Sequence, residues 1–249
     1  MKTISLLLLL AAAPALGGSA SDPRAVELLR KVDDLWRGEG SHAVMSMHVK
    51  TSHYERHMKM DAYSLGTDYS LVSIVEPLKE KGTSTLKAGQ VMYTYLPRTD
   101  RSIKLNSGMM GGSWMGSHFT NDDLIQQSRL SRDYDVAIGF EGQRDGQPEI
   151  EMQLSPKPDA AVVWGKIVSV VNSKTDLPIR TTYFDEDLKK VREMTFSDVK
   201  NLGGRSLPTV LRLTPQDEPG EYTELIYESL DMHPGIDKSF FSLSRLKRP

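Results

Sequence analysis

The sequence predicts a mainly β (α+β) fold in which one large antiparallel sheet or barrel wraps around two helices. Two observations support this fold class. Short runs of period-two alternation, separated by Gly and Pro turns, recur along most of the chain, and only two segments show helical spacing. The apolar face of such a sheet must be covered, and the two helices are available to cover it. Because two helices fill the inner side of a large sheet poorly, we expect a cavity between them and the sheet.

Residues 1–20 have the layout of a secretory signal peptide. A short positive start precedes a largely apolar run at residues 4–16, and small residues follow it. The run is shorter than the ~20 residues that span a membrane. We expect cleavage after Ala20, with Gly17 as the alternative, and export to the periplasm of a Gram-negative bacterium. Residues 21–249 are expected to form a single domain.

The first predicted helix covers residues 23–37. Asp22 fits an N-cap position, and Pro23 fits the first helical turn. Apolar residues recur at helical spacing up to Trp36, and a glycine at position 38 ends the pattern.

Six predicted strands follow this helix, and the first two show the clearest alternation. Their inward positions are Ala43, Met45, Met47 and Val49, then Met58, Met60 and Ala62. The six strands are predicted at residues 43–51, 55–63, 69–75, 83–87, 91–96 and 102–105. The frequent methionines, 12 against 6 Phe, thus fall partly on one face of a hairpin.

A Gly- and Met-rich loop at residues 108–116 interrupts the strands. Thr120 and Asp123 form a capping-box pattern at the start of a second predicted helix, residues 121–131. The large apolar side chains of the loop could simply cap the core, or they could form a lid over an apolar cavity, since Gly permits rearrangement and Met adapts to varied surfaces. Seven more strands are predicted at residues 133–141, 149–154, 162–172, 179–184, 191–200, 207–214 and 221–227.

Composition and motifs exclude several classes of function. The 31 basic and 33 acidic residues argue against nucleic-acid binding by bulk charge, and the absence of Cys excludes disulfides, thiolate chemistry and a lipidated N-terminal cysteine. No Walker, G-x-G-x-x-G, H-E-x-x-H or G-x-S-x-G motif is present. Ser84 and Lys87 match S-x-x-K, but they lie in a strand pattern, where that motif does not align its two side chains. Few polar groups are expected inside the cavity, so we expect no enzyme and no cofactor.

Four of the six histidines cluster at His42, His48, His53 and His57. No carboxylate joins them at a spacing typical of metal ligands. We therefore expect exposed histidines on the outer face of a hairpin, and no metal site.

An ordered series of motifs resembles the outer membrane lipoprotein-sorting protein family, whose relatives are the LolA/LolB-like periplasmic lipoprotein carriers. The series is Tyr93-Thr94-Tyr95-Leu96-Pro97, Arg101-Ser102-Ile103, Met115-Gly116-Ser117-His118-Phe119-Thr120, Asp123-Leu124 and, at the C-terminus, Phe240-Phe241-Ser242-Leu243 with Leu246-Lys247-Arg248. Two positions depart from the family pattern: His118 replaces a common Asp, and Asn121 replaces a frequent aromatic residue.

The resemblance implies a half-open antiparallel β-barrel whose concave apolar face is plugged by helices. It implies a carrier that shelters the acyl chains of a lipoprotein or lipid for sorting to the outer membrane. The expected cavity residues are Met45, Met47, Met58, Met60 and Trp36, and the expected lid or plug residues are Trp114, Met115, Phe119 and Leu124. An inner-membrane transporter and an outer-membrane acceptor are the expected partners of a monomeric shuttle.

Two other functions stay open. One is a periplasmic sensor, or an accessory subunit of an envelope regulator or membrane exporter, with the same fold. The other is an enzyme that uses the cavity as its active site, which ranks last because few polar groups are expected there.

Overall fold

The computed structural model describes residues 21–126, 130–160 and 162–248, so the predicted signal peptide at residues 1–20 lies outside the described part of the chain. The described residues form one antiparallel sheet of 13 strands in the order β6-β5-β4-β3-β2-β1-β13-β12-β11-β10-β9-β8-β7. The strands β6 and β7 are its two edges and do not pair, so the sheet is an unclosed barrel. This confirms the predicted fold class.

The strands of the first half of the chain are β1 Gly40–Lys50, β2 Glu55–Leu65, β3 Tyr69–Glu76, β4 Ser84–Ala88, β5 Val91–Leu96 and β6 Arg101–Lys104. Those of the second half are β7 Tyr134–Arg144, β8 Gln147–Pro156, β9 Lys166–Asn172, β10 Pro178–Phe184, β11 Lys190–Leu202, β12 Arg205–Pro215 and β13 Tyr222–Asp231. The helices are α1 Pro23–Asp34, α2 Asp123–Gln126, α3 Leu130–Asp133 and α4 Leu243–Leu246. Every strand predicted from the alternation is present among them.

Helix α1 begins as its sequence predicts. The Asp22 carboxylate accepts hydrogen bonds from the backbone N–H groups of Arg24 (2.8 Å) and Ala25 (3.3 Å), and Pro23 occupies the first turn. The Asp22 backbone N–H donates to the carbonyl of Val136 at 2.7 Å, which ties the start of the helix to the edge strand β7. The helix ends at Asp34, three residues before the predicted end.

The alternation of β1 and β2 places one face of the sheet against α1, and we call it the inner face. Cross-strand pairs Met45–Met60 and Met47–Met58 lie directly opposite one another on this face. All four methionines are buried, as are Ala43 and Val49 in β1. The period-two pattern therefore predicted the buried face of this hairpin correctly.

Residues 105–133, which we call the connecting segment, join the two edge strands β6 and β7. The segment includes the Gly- and Met-rich loop. It also includes two short helices on either side of residues 127–129, which lie outside the described part. The predicted capping box is present: the Thr120 N–H donates to the Asp123 carboxylate at 2.7 Å, and the Asp123 N–H donates to Thr120 Oγ1 at 3.2 Å.

Residues 232–248, which follow β13 and which we call the C-terminal cover, pack on part of the opposite, outer face of the sheet. Phe241 and Leu246 are buried against Leu71, Leu86 and Tyr95, which point outward from β3, β4 and β5. Strands β3 to β5 are thus apolar on both faces, which explains why their sequences alternate less clearly than those of β1 and β2.

Among the described residues, no helix has both the length and the apolar character needed to cross a membrane.

Candidate functional site

A cavity of about 170 Å³ lies between α1, the connecting segment and the inner face of the sheet. Its lining is mostly apolar. The sheet contributes Ala43, Met45, Ala62, Val72, Leu154, Ile167, Met194, Phe196, Leu211, Leu225 and Tyr227. Helix α1 and the residues after it contribute Leu29, Val32 and Trp36. The connecting segment contributes Trp114, Phe119, Leu124 and Leu130.

Trp36 closes the helix side of this cavity. Its ring stacks on Phe196 (5.9 Å between centroids) and on Tyr227 (6.1 Å), and its Nε1–H donates to the Pro208 carbonyl at 3.1 Å. The indole is therefore positioned by contacts with β11, β12 and β13, although it follows the end of α1.

The expected site residues fall into two groups in the structure. Trp36, Met45, Trp114, Phe119 and Leu124 line the cavity. Met47, Met58 and Met60 are buried in the same core but do not line it, and Met115 is half-buried and packs against that core. Alternation identifies the inward face of a strand, but it does not say how far along the strand the cavity extends.

Polar anchors fix the connecting segment to the inner face at widely separated strands. The Trp114 Nε1–H donates to Thr85 Oγ1 in β4 at 3.1 Å. The backbone N–H of His118 donates to Thr223 Oγ1 in β13 at 3.1 Å. Both threonines are buried on the inner face, so the segment crosses this face from one half of the sheet to the other.

Residues at the end of the β1–β2 hairpin hold the same loop through two of its backbone carbonyls. The Tyr54 hydroxyl donates to the Gly116 carbonyl at 2.8 Å, and Arg56 Nη1 donates to the Met115 carbonyl at 3.0 Å. Met115 has a positive φ of 49° and Gly116 a φ of 65°. A Cβ on Gly116 would lie 2.5 Å from Arg56 Nη1, so glycine at this position permits both the turn and the close approach.

A further anchor is a buried ion pair between Asp123 and Arg192 of β11. Arg192 Nη1 donates to Asp123 Oδ2 at 2.9 Å, and Nη2 donates to the other carboxylate oxygen. The guanidinium also lies over the rings of Trp164 (4.3 Å) and Tyr183 (4.4 Å). Burial acts to lower the pKa of Arg192, but the charge and hydrogen bonds of Asp123 outweigh it and raise that pKa. The sequence identified Asp123 as a helix cap and as part of the motif series, but it identified neither its ion pair nor Arg192.

The cavity is more polar than the sequence predicted. Asp33, Arg37 and Asp123 contribute to its lining, as do several hydroxyl groups: Ser41, Ser64, Ser70, Ser169 and Thr181. Burial raises the pKa of Asp33 to about 7, and the nearby Arg37 opposes this rise only partly. Asp33 lies four residues after Leu29, so helical spacing places it on the buried face of α1. The expectation of few polar groups overlooked this position.

The S-x-x-K residues do not form a catalytic pair. Ser84 and Lys87 lie in β4, three residues apart, so their side chains point to opposite faces of the sheet. Ser84 Oγ donates to the Gly82 carbonyl at 2.9 Å, and Lys87 Nζ donates to the Thr67 carbonyl at 2.7 Å.

Comparison with solved structures supports the fold. A DUF1329 family protein from Desulfovibrio piger ATCC 29098 is 22% identical with a TM-score of 0.79, over 92% of this chain and 100% of that one. An outer membrane lipoprotein-sorting protein domain from Vibrio parahaemolyticus, described as putative, is 21% identical with a TM-score of 0.76, over 90% and 99% of the two chains. A LolA superfamily protein from Nitrosomonas europaea is 19% identical with a TM-score of 0.74, over 88% and 98%.

The family model of the DUF1329-like proteins, described as uncharacterized, matches residues 66–248. The chain belongs to the DUF1329-like family. The structural likeness to lipoprotein-sorting and LolA superfamily proteins confirms the resemblance predicted from the motif series. No curated protein matches this DUF1329-like chain.

His118 is one of the two positions at which the sequence analysis found a departure from the motif series. Its Nδ1 lies 2.8 Å from Thr223 Oγ1, and its Nε2 lies 3.3 Å from Glu221 and 3.6 Å from Glu218. Glu221 also accepts the Ser52 N–H at 2.7 Å, and this bond is the main cause that lowers the Glu221 pKa to about 2. His118 therefore helps to attach the connecting segment to the β12–β13 turn.

Proposed function

We propose that this DUF1329-like protein is a periplasmic carrier that shelters acyl chains of a lipid or lipoprotein for sorting to the outer membrane. The single observation that carries the proposal is the apolar cavity between the sheet and the connecting segment. It lies where the half-open barrel needs its inner face covered. The lipoprotein-sorting name of the Vibrio parahaemolyticus neighbour supports the same conclusion.

The size of the cavity specifies how cargo would enter. A cavity of about 170 Å³ is similar to an engineered apolar cavity of about 150 Å³ that holds benzene. An acyl chain of 16 carbons is several times larger than benzene. Cargo binding therefore requires the connecting segment, α1 or both to move away from the inner face, so that lipid replaces the contacts that they make there.

The experiment that tests the proposal is native mass spectrometry with lipid extraction, on protein isolated from its own periplasm. We expect a co-purifying lipid or lipoprotein, and displacement of a fluorescent fatty-acid probe by that lipid. If no apolar ligand is found and the probe also fails to bind, the carrier function is wrong.

A matched pair of variants locates the binding site. Ala62 lines the cavity, whereas Ala137 is exposed in β7. Ala62→Met adds about three heavy atoms to the cavity wall and should weaken probe binding, while Ala137→Met should leave it unchanged. Equal effects of the two substitutions would place the probe outside this cavity.

A further inference from the structure

The structure assigns a divalent transition-metal site to His48, Glu55 and His57 on the outer face of the β1–β2 hairpin. The site is independent of the proposed carrier function, because its side chains point away from the cavity. The sequence predicted exposed histidines here and no metal site, since no carboxylate had a suitable spacing. The hairpin register supplies that carboxylate.

The two imidazoles are held together by strand pairing. His48 and His57 are directly opposite in the β1–β2 ladder, and their rings stack with centroids 4.1 Å apart and an interplanar angle of 16°. Glu55 precedes His57 by two residues on the same strand, so it projects from the same face. Backbone geometry alone thus brings three potential ligands to one point.

The donor atoms have the separations that a metal ion needs. Glu55 Oε1 lies 2.8 Å from His48 Nε2 and 3.7 Å from His57 Nε2. One donor atom from each of the three residues lies within 4.8 Å of the other two. Tetrahedral zinc with bonds of about 2.0–2.1 Å requires its ligands to be roughly 3.3 Å apart, which lies between the two measured distances. The two Glu55 distances thus bracket the separation that a bound zinc ion would impose.

The chemistry of the donor set favours a transition metal over calcium or magnesium. Two imidazole nitrogens and one carboxylate oxygen suit zinc, copper or nickel, whereas calcium and magnesium prefer oxygen ligands. The side chains of His57 and Glu55 are 72% and 55% exposed, so an ion can enter from solvent and keep a water molecule at its fourth position.

The surroundings also favour a cation. Two cationic groups of this face are paired with carboxylates: Lys59 with Glu228 at 3.1 Å, and Arg212 with Glu224 at 3.6 Å. The Tyr222 hydroxyl lies 3.5 Å from His48 Nδ1, where it can orient the ring as the outer partners of metal-bound histidines do.

A second group, His118 with Glu218 and Glu221, has its potential donor atoms equally close together. It is a weaker candidate, because it offers one imidazole. In addition, Glu221 and His118 already hold the connecting segment through Ser52 and Thr223.

The test is zinc titration by isothermal calorimetry on the full exported chain without a histidine tag. We expect one zinc ion per chain, and at least tenfold weaker binding in His57→Asn, His48→Asn and Glu55→Gln. His57 is exposed, so His57→Asn should fold normally, and circular dichroism would verify this.

Three control variants make the result specific. His42→Asn and His53→Asn remove neighbouring imidazoles outside the group, and His118→Asn removes the imidazole of the second group. All three should bind zinc as the unmodified chain does. Absence of zinc binding, or binding that survives His57→Asn but is lost in His118→Asn, would overturn the assignment.

Discussion

Asp33 gives the cavity a pH-dependent effect on stability that a single substitution can remove. Burial raises its pKa from an ordinary value of 3.8 to about 7. Between these two values the folded chain keeps a proton on Asp33 that the unfolded chain has released. The free energy of unfolding therefore falls as pH rises through this window. Above about pH 7, the contribution of Asp33 to the free energy of unfolding no longer changes with pH.

The magnitude follows from the size of the pKa change. Each pH unit in the window corresponds to about 1.4 kcal/mol, so the full displacement corresponds to about 4 kcal/mol of lost stability. Asp33→Asn keeps the size of the side chain but cannot ionise. We expect this variant to gain about 3 kcal/mol relative to the unmodified chain between pH 5 and pH 7.5.

The assay is urea denaturation at a series of pH values, followed by tryptophan fluorescence. Asp34→Asn is the matched control: it removes the adjacent carboxylate, which lies outside the cavity lining and pairs with Arg30 on the surface. Surface ion pairs of this kind contribute about 0–1 kcal/mol to the free energy of unfolding, so Asp34→Asn should change it by no more than that. Two results would refute the reasoning. One is a difference in the free energy of unfolding, between Asp33→Asn and the unmodified chain, that does not change with pH. The other is an Asp33→Asn variant that is less stable than the unmodified chain at pH 8.

Three further predictions concern the connecting segment and the C-terminal cover. Tyr54→Phe removes one hydrogen bond to the loop, so amide exchange at residues 114–117 should accelerate while global stability falls by no more than about 1.5 kcal/mol; unchanged exchange would contradict this anchor. Asp123→Asn leaves Arg192 buried without its ion-pair partner. The free energy of unfolding, measured in urea, should therefore fall by about 3–5 kcal/mol. A loss below about 1 kcal/mol would show that the ion pair does not stabilise the fold. Phe241→Ala should lower the free energy of unfolding by about 3–5 kcal/mol, because Phe241 is buried. The control Leu243→Ala changes an exposed residue and should lower it by about 0.5 kcal/mol or less. Equal effects of the two substitutions would show that the C-terminal cover does not stabilise the sheet.

The strands could be predicted from the sequence because burial on one face imposes a local pattern. Each inward position of β1, from Ala43 to Val49, has a polar or less buried neighbour, so two-residue periodicity is visible without knowledge of the partner strand. Asp22 and Pro23 likewise specify the start of α1 through contacts within one helical turn.

The site residues that the sequence missed depend on contacts between distant parts of the chain. Arg192 lies 69 residues from Asp123, and nothing near either residue in the sequence identifies the other. Phe241 was recognised as part of a motif, but its role on the outer face depends on β3 to β5 being apolar on that side too. His48 and His57 were named in the sequence analysis, but their direct pairing was not predicted, because it follows from the register of the hairpin, which spacing along one strand does not reveal.

The topology explains why the connecting segment is suited to be the movable part of a carrier. It joins the two edges of the sheet, so it must cross the opening of the half-barrel, and it can move without breaking any ladder between the 13 strands. The Trp114–Thr85 anchor is a single hydrogen bond that contributes about 1 kcal/mol, and the His118–Thr223 anchor joins a backbone N–H and a ring nitrogen to one hydroxyl. The buried ion pair is the strongest of these anchors. Sheltering an acyl chain of 16 carbons from water is worth on the order of 12 kcal/mol. Under the proposed function, the free energy gained by sheltering the acyl chain exceeds the free energy lost when the anchors are released. The apolar contacts that the connecting segment gives up reduce the net gain. Cargo would then bind with a moderate net free energy, which a protein that must later release the cargo requires.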